Sequence, residues 1–196
     1  MSFNDKTLKK WPKTMEKKFQ LAQCSTDFKI VKVDENLLDK YYILLQPTGG
    51  HYKGHKYILE MITKYENTIL YPFTQPLLKF KNTIWHPNIS VTGDICVDII
   101  KGGVAWSPAN GIDAVISSII LLMDIPENSD PFNNEAAILF RACEKKYNML
   151  SKKPNIDTKK IYDICYEEFD SKTKSFAGTD IDQYLNYFND LDDQKN

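Results

Sequence analysis

The sequence predicts an α+β fold: an N-terminal helix, a four-stranded antiparallel meander, a long loop, then C-terminal helices. Three observations predict it. Apolar runs of strand length occupy residues 28–80. Helical periodicity takes over from Ile112. Between them, residues 82–109 are too irregular for one element. Strands followed by helices, rather than alternating with them, point to an antiparallel sheet.

The elements follow in order. Pro12 suits the first turn of a helix running to about Gln23, with Met15 and Phe19 on one face. Phe28 to Val33 reads as a strand with interleaved lysines, closed by the turn Asp34-Glu35-Asn36. Tyr41 to Leu45 and Tyr57 to Ile62 are further strands, separated by a Pro- and Gly-bearing loop from Gln46 to His55. Leu77 to Phe80 is a short fourth strand after the proline-punctuated YPFTQP. The loop that follows, with only a brief apolar segment at Ile95 to Ile100, is of the length that usually carries function. Ile112 to Met123 sets Ile112, Val115, Ile116, Ile119, Ile120 and Met123 over a wide face, as a buried central helix would. Helices at Asn134 to Leu150 and Asp157 to Phe169 are divided by Pro154. Beyond Lys174 the chain turns polar. A last amphipathic segment, Asp180 to Leu191, aligns Ile181, Tyr184, Leu185 and Phe188. The expected organisation is a core over residues 1–172 and a polar C-terminal extension, 173–196, with a short amphipathic helix.

Composition narrows the function classes. The 196 residues suffice for one core and an extension. A net charge of −1 lacks the basic footprint of a nucleic-acid binder. No apolar run approaches the roughly 18 residues of a membrane span, and MSFNDKTLKK lacks the apolar stretch of a signal peptide. A reducing compartment, cytoplasmic and/or nuclear, is therefore expected, with neither nucleic acid nor membrane as partner. Four widely spaced cysteines, Cys24, Cys96, Cys143 and Cys165, contain no CxxC pair. They suit neither a disulfide framework nor a cysteine-rich zinc site.

Cys96 stands apart from the others. It lies in HPNISVTGDICVDII, residues 86–100, ten positions after His86 and between Asp94 and Asp98. Four readings compete. A zinc site needs about four ligands, and His51, His55 and His86 are the only histidines. A cysteine hydrolase needs a thiolate, which neighbouring Asp94 and Asp98 disfavour; His86 in a His-Pro-Asn turn more naturally orders that turn. A buried structural thiol is the default for cysteine, and Cys24, Cys143 and Cys165 fit it. An acyl carrier that receives an already activated ester needs exposure and an oxyanion donor more than a strong base. The Asn88 carboxamide is such a donor.

The chain resembles the ubiquitin-conjugating enzymes. The motifs that carry the resemblance are YPFTQP (71–76), WHPNI (85–89), GDICVDII (93–100), WSPA (106–109), the helix from Ile112 and DPFNNEAA (130–137). They stand in the family's order at near-family spacing, and weaker similarity extends over about residues 7 to 170, including the Pro47/Tyr52/Gly54 loop. The resemblance implies the family's fold and a transferase without cofactor. An ATP-using activating enzyme would load ubiquitin onto Cys96 as a thioester, and a substrate-protein lysine would receive it, usually with a RING-type ligase. It implies catalytic roles for Cys96, Asn88 and Asp130, with His86 and Pro87 in the active-site loop. Asn88 would stabilise the oxyanion or hold that loop, and Asp130 would stand beside the incoming lysine. Phe73, Pro108 and Ala109 would dock the ligase. There are departures: Cys96 and Trp106 are ten apart, a wider spacing than in many ubiquitin carriers, and Gln46-Pro47 replaces the usual Gly-Pro. The modifier therefore stays open between ubiquitin and SUMO or another ubiquitin-like protein. The other alternative is a non-catalytic ubiquitin-binding adaptor of the same fold, which would lack the cysteine.

Overall fold

The computed structural model describes residues 5–22, 28–34, 38–66, 68–95, 106–127, 129–177 and 181–193. Helix α1, Asp5–Ala22, begins a full two turns before Pro12, earlier than its sequence predicts. Pro12 faces solvent; its ring removes one helical hydrogen bond at a cost of about 3 kcal/mol. Trp11, Met15, Phe19 and Ala22 are buried on the opposite stripe. At roughly 1.5–3 kcal/mol for each large apolar side chain, their packing outweighs the proline.

Strands β1 (Phe28–Lys32), β2 (Lys40–Leu45), β3 (Tyr57–Ile62), β4 (Lys64–Tyr65), β5 (Thr68–Ile69) and β6 (Leu77–Phe80) follow. The main sheet is antiparallel in the order β1-β2-β3-β6, the expected meander. β4 and β5 form a separate small hairpin. Register places Tyr41 opposite Met61 and Leu59 opposite Phe80. The inner face carries Ile30, Tyr41, Ile43, Leu59 and Phe80 into the main core against α1 and helix α2, Ile112–Asp124.

Helix α2 buries Ile112, Val115, Ile116, Ile119, Leu122 and Met123. Its other side is open: Ser117 and Ser118 are exposed, as is Leu121. The helix is a one-sided lid on the sheet rather than a rod buried all round. Helices α3, Asn134–Leu150, and α4, Thr158–Phe176, pack on each other. Asn133 caps α3 by accepting from Ala136 N–H at 3.1 Å. Asp157 caps α4 by accepting from Lys159 and Lys160. α4 runs past Phe169 because Thr173 is buried, its hydroxyl donating to His51 O at 3.0 Å.

The last helix, α5 (Asp182–Asp193), lies on the outer face of the sheet. Ile181 and Phe188 are buried there with Val31, Tyr42, Leu44 and Ile58. Tyr184 and Tyr187 each meet the Tyr42 ring edge-on at 5.1 Å. With both faces covered, β2 and β3 are buried along nearly their whole length. That explains why YYILL reads as a continuous apolar run and YILEMI as one broken only by Glu60, which pairs with Lys40 and Lys81. Among the described residues no helix is long and apolar enough to cross a membrane.

Candidate functional site

The site is built on the segment from Trp85 to Ile95. His86 is fully buried. Its Nε2 lies 2.9 Å from Leu122 O, which can only accept, and its Nδ1 lies 2.9 Å from the Asn88 backbone N–H, which can only donate. These partners assign the neutral Nε2–H tautomer. Burial pushes the pKa down to about 3; the Leu122 carbonyl opposes the shift, and His51 adds to it slightly. With both nitrogens engaged, His86 is a turn-ordering residue without a lone pair to offer a thiol.

A pH dependence follows. The folded-state pKa lies below the roughly 6.5 of an unfolded histidine, so the unfolded chain binds more protons across that window. The contribution to stability is complete above about pH 6.5 and is lost as the pH falls toward 3. In 15N-resolved NMR at pH 5, His86 is expected to keep the shifts of a neutral Nε2–H imidazole, where a solvated histidine is largely protonated. An imidazolium signature there in the folded protein would remove this assignment.

Asn88 is likewise fully buried. Its Nδ2 donates to Glu127 O at 2.6 Å, and its Oδ1 accepts from Glu127 N–H at 2.8 Å. This reciprocal amide clamp fastens the segment after α2 to the His-Pro-Asn turn. A second tie is Asn133 N–H donating to Pro87 O at 2.9 Å. Asp130, which is exposed, lies between these two anchors. The structure thus brings His86, Pro87, Asn88 and the Asp130 segment together.

The chain next turns through Ser90 to Asp94. Gly93 N–H donates to Ser90 O, and Ser90 N–H to Asp94 O, both at 2.9 Å. Gly93 has φ +85°, and a Cβ there would stand 2.0 Å from Phe80 O; only glycine fits. Asp94 accepts from Thr92 Oγ1 at 2.6 Å and pairs with Lys79 at 3.0 Å. The Thr92 hydroxyl, then Lys79, hold its carboxyl below the usual carboxylate range. Ile95 bridges back to Ile89. The residue before Cys96 therefore sits opposite the residue after Asn88. Cys96 itself lies outside the described residues, as does Cys24. Cys143 and Cys165 are buried free thiols, as expected, and burial pushes the Cys143 thiol pKa up.

The three residues assigned to ligase docking lie on two interlocked segments. Trp106 Nε1–H donates to Pro72 O at 2.7 Å, and Tyr71 Oη–H to Asn110 O at 2.6 Å. Trp11 Nε1–H, from α1, donates to Tyr71 O at 2.8 Å. Phe73 is half-buried against the core, while Pro108 and Ala109 are exposed. Two further residues escaped the sequence reading of the site. Tyr52, 1% exposed, donates its hydroxyl to Trp85 O at 2.9 Å and packs its ring 5.6 Å from His86. His51 pairs with Asp170 at 2.7 Å. Tyr52 lies in a loop that shares weak similarity with the family, a signal that pointed toward it; His51 carried none. Among the described residues no group of three or more His, Cys, Asp or Glu is placed to hold a metal ion.

Comparison with known proteins adds a second line. The family model described as ubiquitin-conjugating enzyme matches residues 7–154. A probable ubiquitin-conjugating enzyme E2 of Acanthamoeba polyphaga mimivirus is 35% identical over 138 residues, 70% of this chain and 78% of that protein. A ubiquitin-conjugating enzyme E2 of African swine fever virus is 32% identical over 152 residues, 74% of this chain and 69% of that one. A crystal structure from Plasmodium yoelii, described as "a putative ubiquitin conjugating enzyme", superposes with a TM-score of 0.59 at 25% identity. That match covers 90% of this chain and 98% of the other.

Proposed function

The chain belongs to the ubiquitin-conjugating enzymes, and from that premise we propose that Cys96 carries ubiquitin as a thioester and passes it to a lysine. One observation carries the reading: the Asn88–Glu127 amide clamp beside a strand bridge, Ile89 to Ile95, that ends one residue before Cys96 in the sequence. In the first half-reaction the Cys96 sulfur attacks the thioester carbonyl on the activating enzyme. A new S–C bond forms, and the activating enzyme's sulfur leaves and takes the proton. In the second, a lysine amine attacks the Cys96 thioester. A C–N bond forms, the Cys96 sulfur leaves, and the amine loses a proton. ATP is consumed by the activating enzyme, and the transfer itself needs no cofactor.

The amine is the difficulty. With a pKa near 10.4, only about 0.04% of lysine is neutral at pH 7. A carboxylate alone favours the ammonium. Asp130 therefore serves by orienting the amine and accepting its proton. The ionised Asp94 close by in sequence suits an acceptor of activated esters better than a hydrolase with a low thiol pKa. The reducing cytoplasm or nucleus is the compartment that suits such a thiol.

The test is charging of the purified protein with an activating enzyme, ATP and a panel of modifiers, resolved without reducing agent. A reductant-sensitive band with ubiquitin supports the reading. A band with SUMO or another modifier alone moves the modifier to that protein. No band with any modifier defeats the thioester reading.

Partner docking gives a second expectation. Phe73, Pro108 and Ala109 form the ligase surface in this reading, next to the ties among Tyr71, Pro72, Trp106 and Asn110. Phe73→Ala is expected to charge at the parental rate and to lose stimulation by a RING-type ligase. A lost cooperative thermal transition would instead assign Phe73 to the core.

A further inference from the structure

His51 joins two parts of the molecule that otherwise have separate cores. The pair α3–α4 encloses its own cluster of Ala136, Phe140, Cys143, Cys165, Tyr166 and Phe169. Trp85 enters that cluster from the site segment, 5.1 Å from Phe169. His51 enters from the loop between β2 and β3, its ring 4.7 Å from Tyr166 and 5.0 Å from Phe169. Three hydrogen bonds hold it to α4. Nδ1 meets Asp170 Oδ1 at 2.7 Å, and Nε2 meets Tyr162 Oη at 3.0 Å. Its carbonyl accepts from the Thr173 hydroxyl at 3.0 Å. Burial pushes the Tyr162 pKa up, so the phenol stays protonated and able to donate.

The next residue faces the other way. Tyr52 donates to Trp85 O and lies against His86, whose Nδ1 accepts from Asn88 N–H. The peptide between His51 and Tyr52 is planar and stiff. The two side chains stem from adjacent Cα atoms, so the hydrogen bonds that fix the His51 backbone and side chain to α4 also fix the backbone from which Tyr52 projects. The same helical pair reaches the turn by a second route, through Asn133 N–H to Pro87 O. His-Pro-Asn is thus held from both sides by the position of α3–α4, and His51 is the polar anchor of one side.

We propose that His51 is a positioning residue for lysine transfer, setting the orientation of Asn88 by way of Tyr52; this rests on the thioester reading above. Loading is less sensitive to His51, because the activating enzyme helps to place the reacting groups and thiol exchange begins from an activated ester. Transfer to lysine depends on the enzyme's own geometry.

His51→Leu keeps the apolar volume and loses both side-chain hydrogen bonds. His51→Gln retains one donor and one acceptor. In single-turnover assays the leucine variant is expected to charge at the parental rate. Its maximal discharge to lysine should fall on the order of tenfold to a hundredfold, the scale of a displaced reacting group, with the half-saturating lysine concentration unchanged. His51→Gln should recover most of that loss. By NMR, the Asn88 side-chain amide resonances should move in His51→Leu and return in His51→Gln. Unmoved Asn88 resonances, or charging and discharge falling by one factor, would overturn the proposal. If His51→Leu does not fold, Asp170→Ala, which cuts one bond at a partly exposed partner, is measured against the same outcomes. A parent protein that cannot be charged at Cys96 defeats the thioester reading alone. The NMR comparison then still decides whether His51 sets Asn88.

Discussion

Replacement of Cys96 by alanine is expected to abolish modifier loading altogether. The two described cysteines offer no substitute: Cys143 and Cys165 are 5% and 4% exposed, and burial raises the Cys143 thiol pKa. A buried neutral thiol is a poor nucleophile. Cys96→Ser replaces the thiol by a hydroxyl, so its adduct is an oxyester. The adduct should survive thiol reductant and break in alkali, whereas the parent adduct is released by reductant. Denaturing gels with and without reductant read both variants. A reductant-sensitive adduct on Cys96→Ala would place the acceptor at another cysteine and sink the assignment.

Loss of Asn88 is expected to have the next largest effect, on discharge rather than loading. In the mechanism proposed above, both half-reactions pass through a tetrahedral oxyanion. In the second, a scarce neutral amine must attack, so the barrier leans harder on this site. One Nδ2 hydrogen is given to Glu127 O; the carboxamide has a second to offer. Removal of one oxyanion donor costs on the order of 10²–10³ in rate, roughly 3–4 kcal/mol. Asn88→Ala should therefore load nearly normally and discharge slowly. Asn88→Asp keeps an acceptor for Glu127 N–H, but it sets a carboxylate oxygen against Glu127 O and offers no donor. It should be no better than alanine. The clamp on Glu127 supplies the competing account, in which Asn88 only holds the segment that carries Asp130. That account lowers loading and discharge together. Single-turnover measurement of both steps separates the two, and equal losses would leave Asn88 as a turn residue.

Some of this architecture was legible because local chemistry and tertiary demand agree. Asn134–Leu150 is bounded as its sequence predicts, with a capping asparagine before it and Pro154 beyond. The strands were legible as apolar runs. Other features depend on distant partners. α1 continues through Pro12 because Trp11, Met15, Phe19 and Ala22 are buried against the core, and no local signal at Asp5 announces its early start. The short β4–β5 hairpin has too few residues to differ from a turn in composition. Leu121 is apolar yet exposed, so the breadth of the apolar face on α2 overstated its burial. Within the site, His86 and Asn88 were singled out from the His-Pro-Asn turn, but their partners Leu122 and Glu127 lie well along the chain. The sequence offers His51 only as a metal ligand, because its partner Asp170 is 119 positions away. Spacing cannot reveal such a pair.

The cover that α5 lays on the sheet also has a consequence for synthesis. Val31, Tyr42, Leu44 and Ile58 leave the ribosome long before Ile181 and Phe188, the side chains of the last segment buried with them. About 130 residues separate Ile58 from Phe188. At roughly 5–20 residues per second, the nascent sheet spends on the order of ten seconds with an apolar outer face and no intramolecular cover. In that interval the outer face is open to chaperone capture and aggregation. Mutations that weaken α5 docking should therefore lower soluble yield more than they lower the activity of the protein recovered.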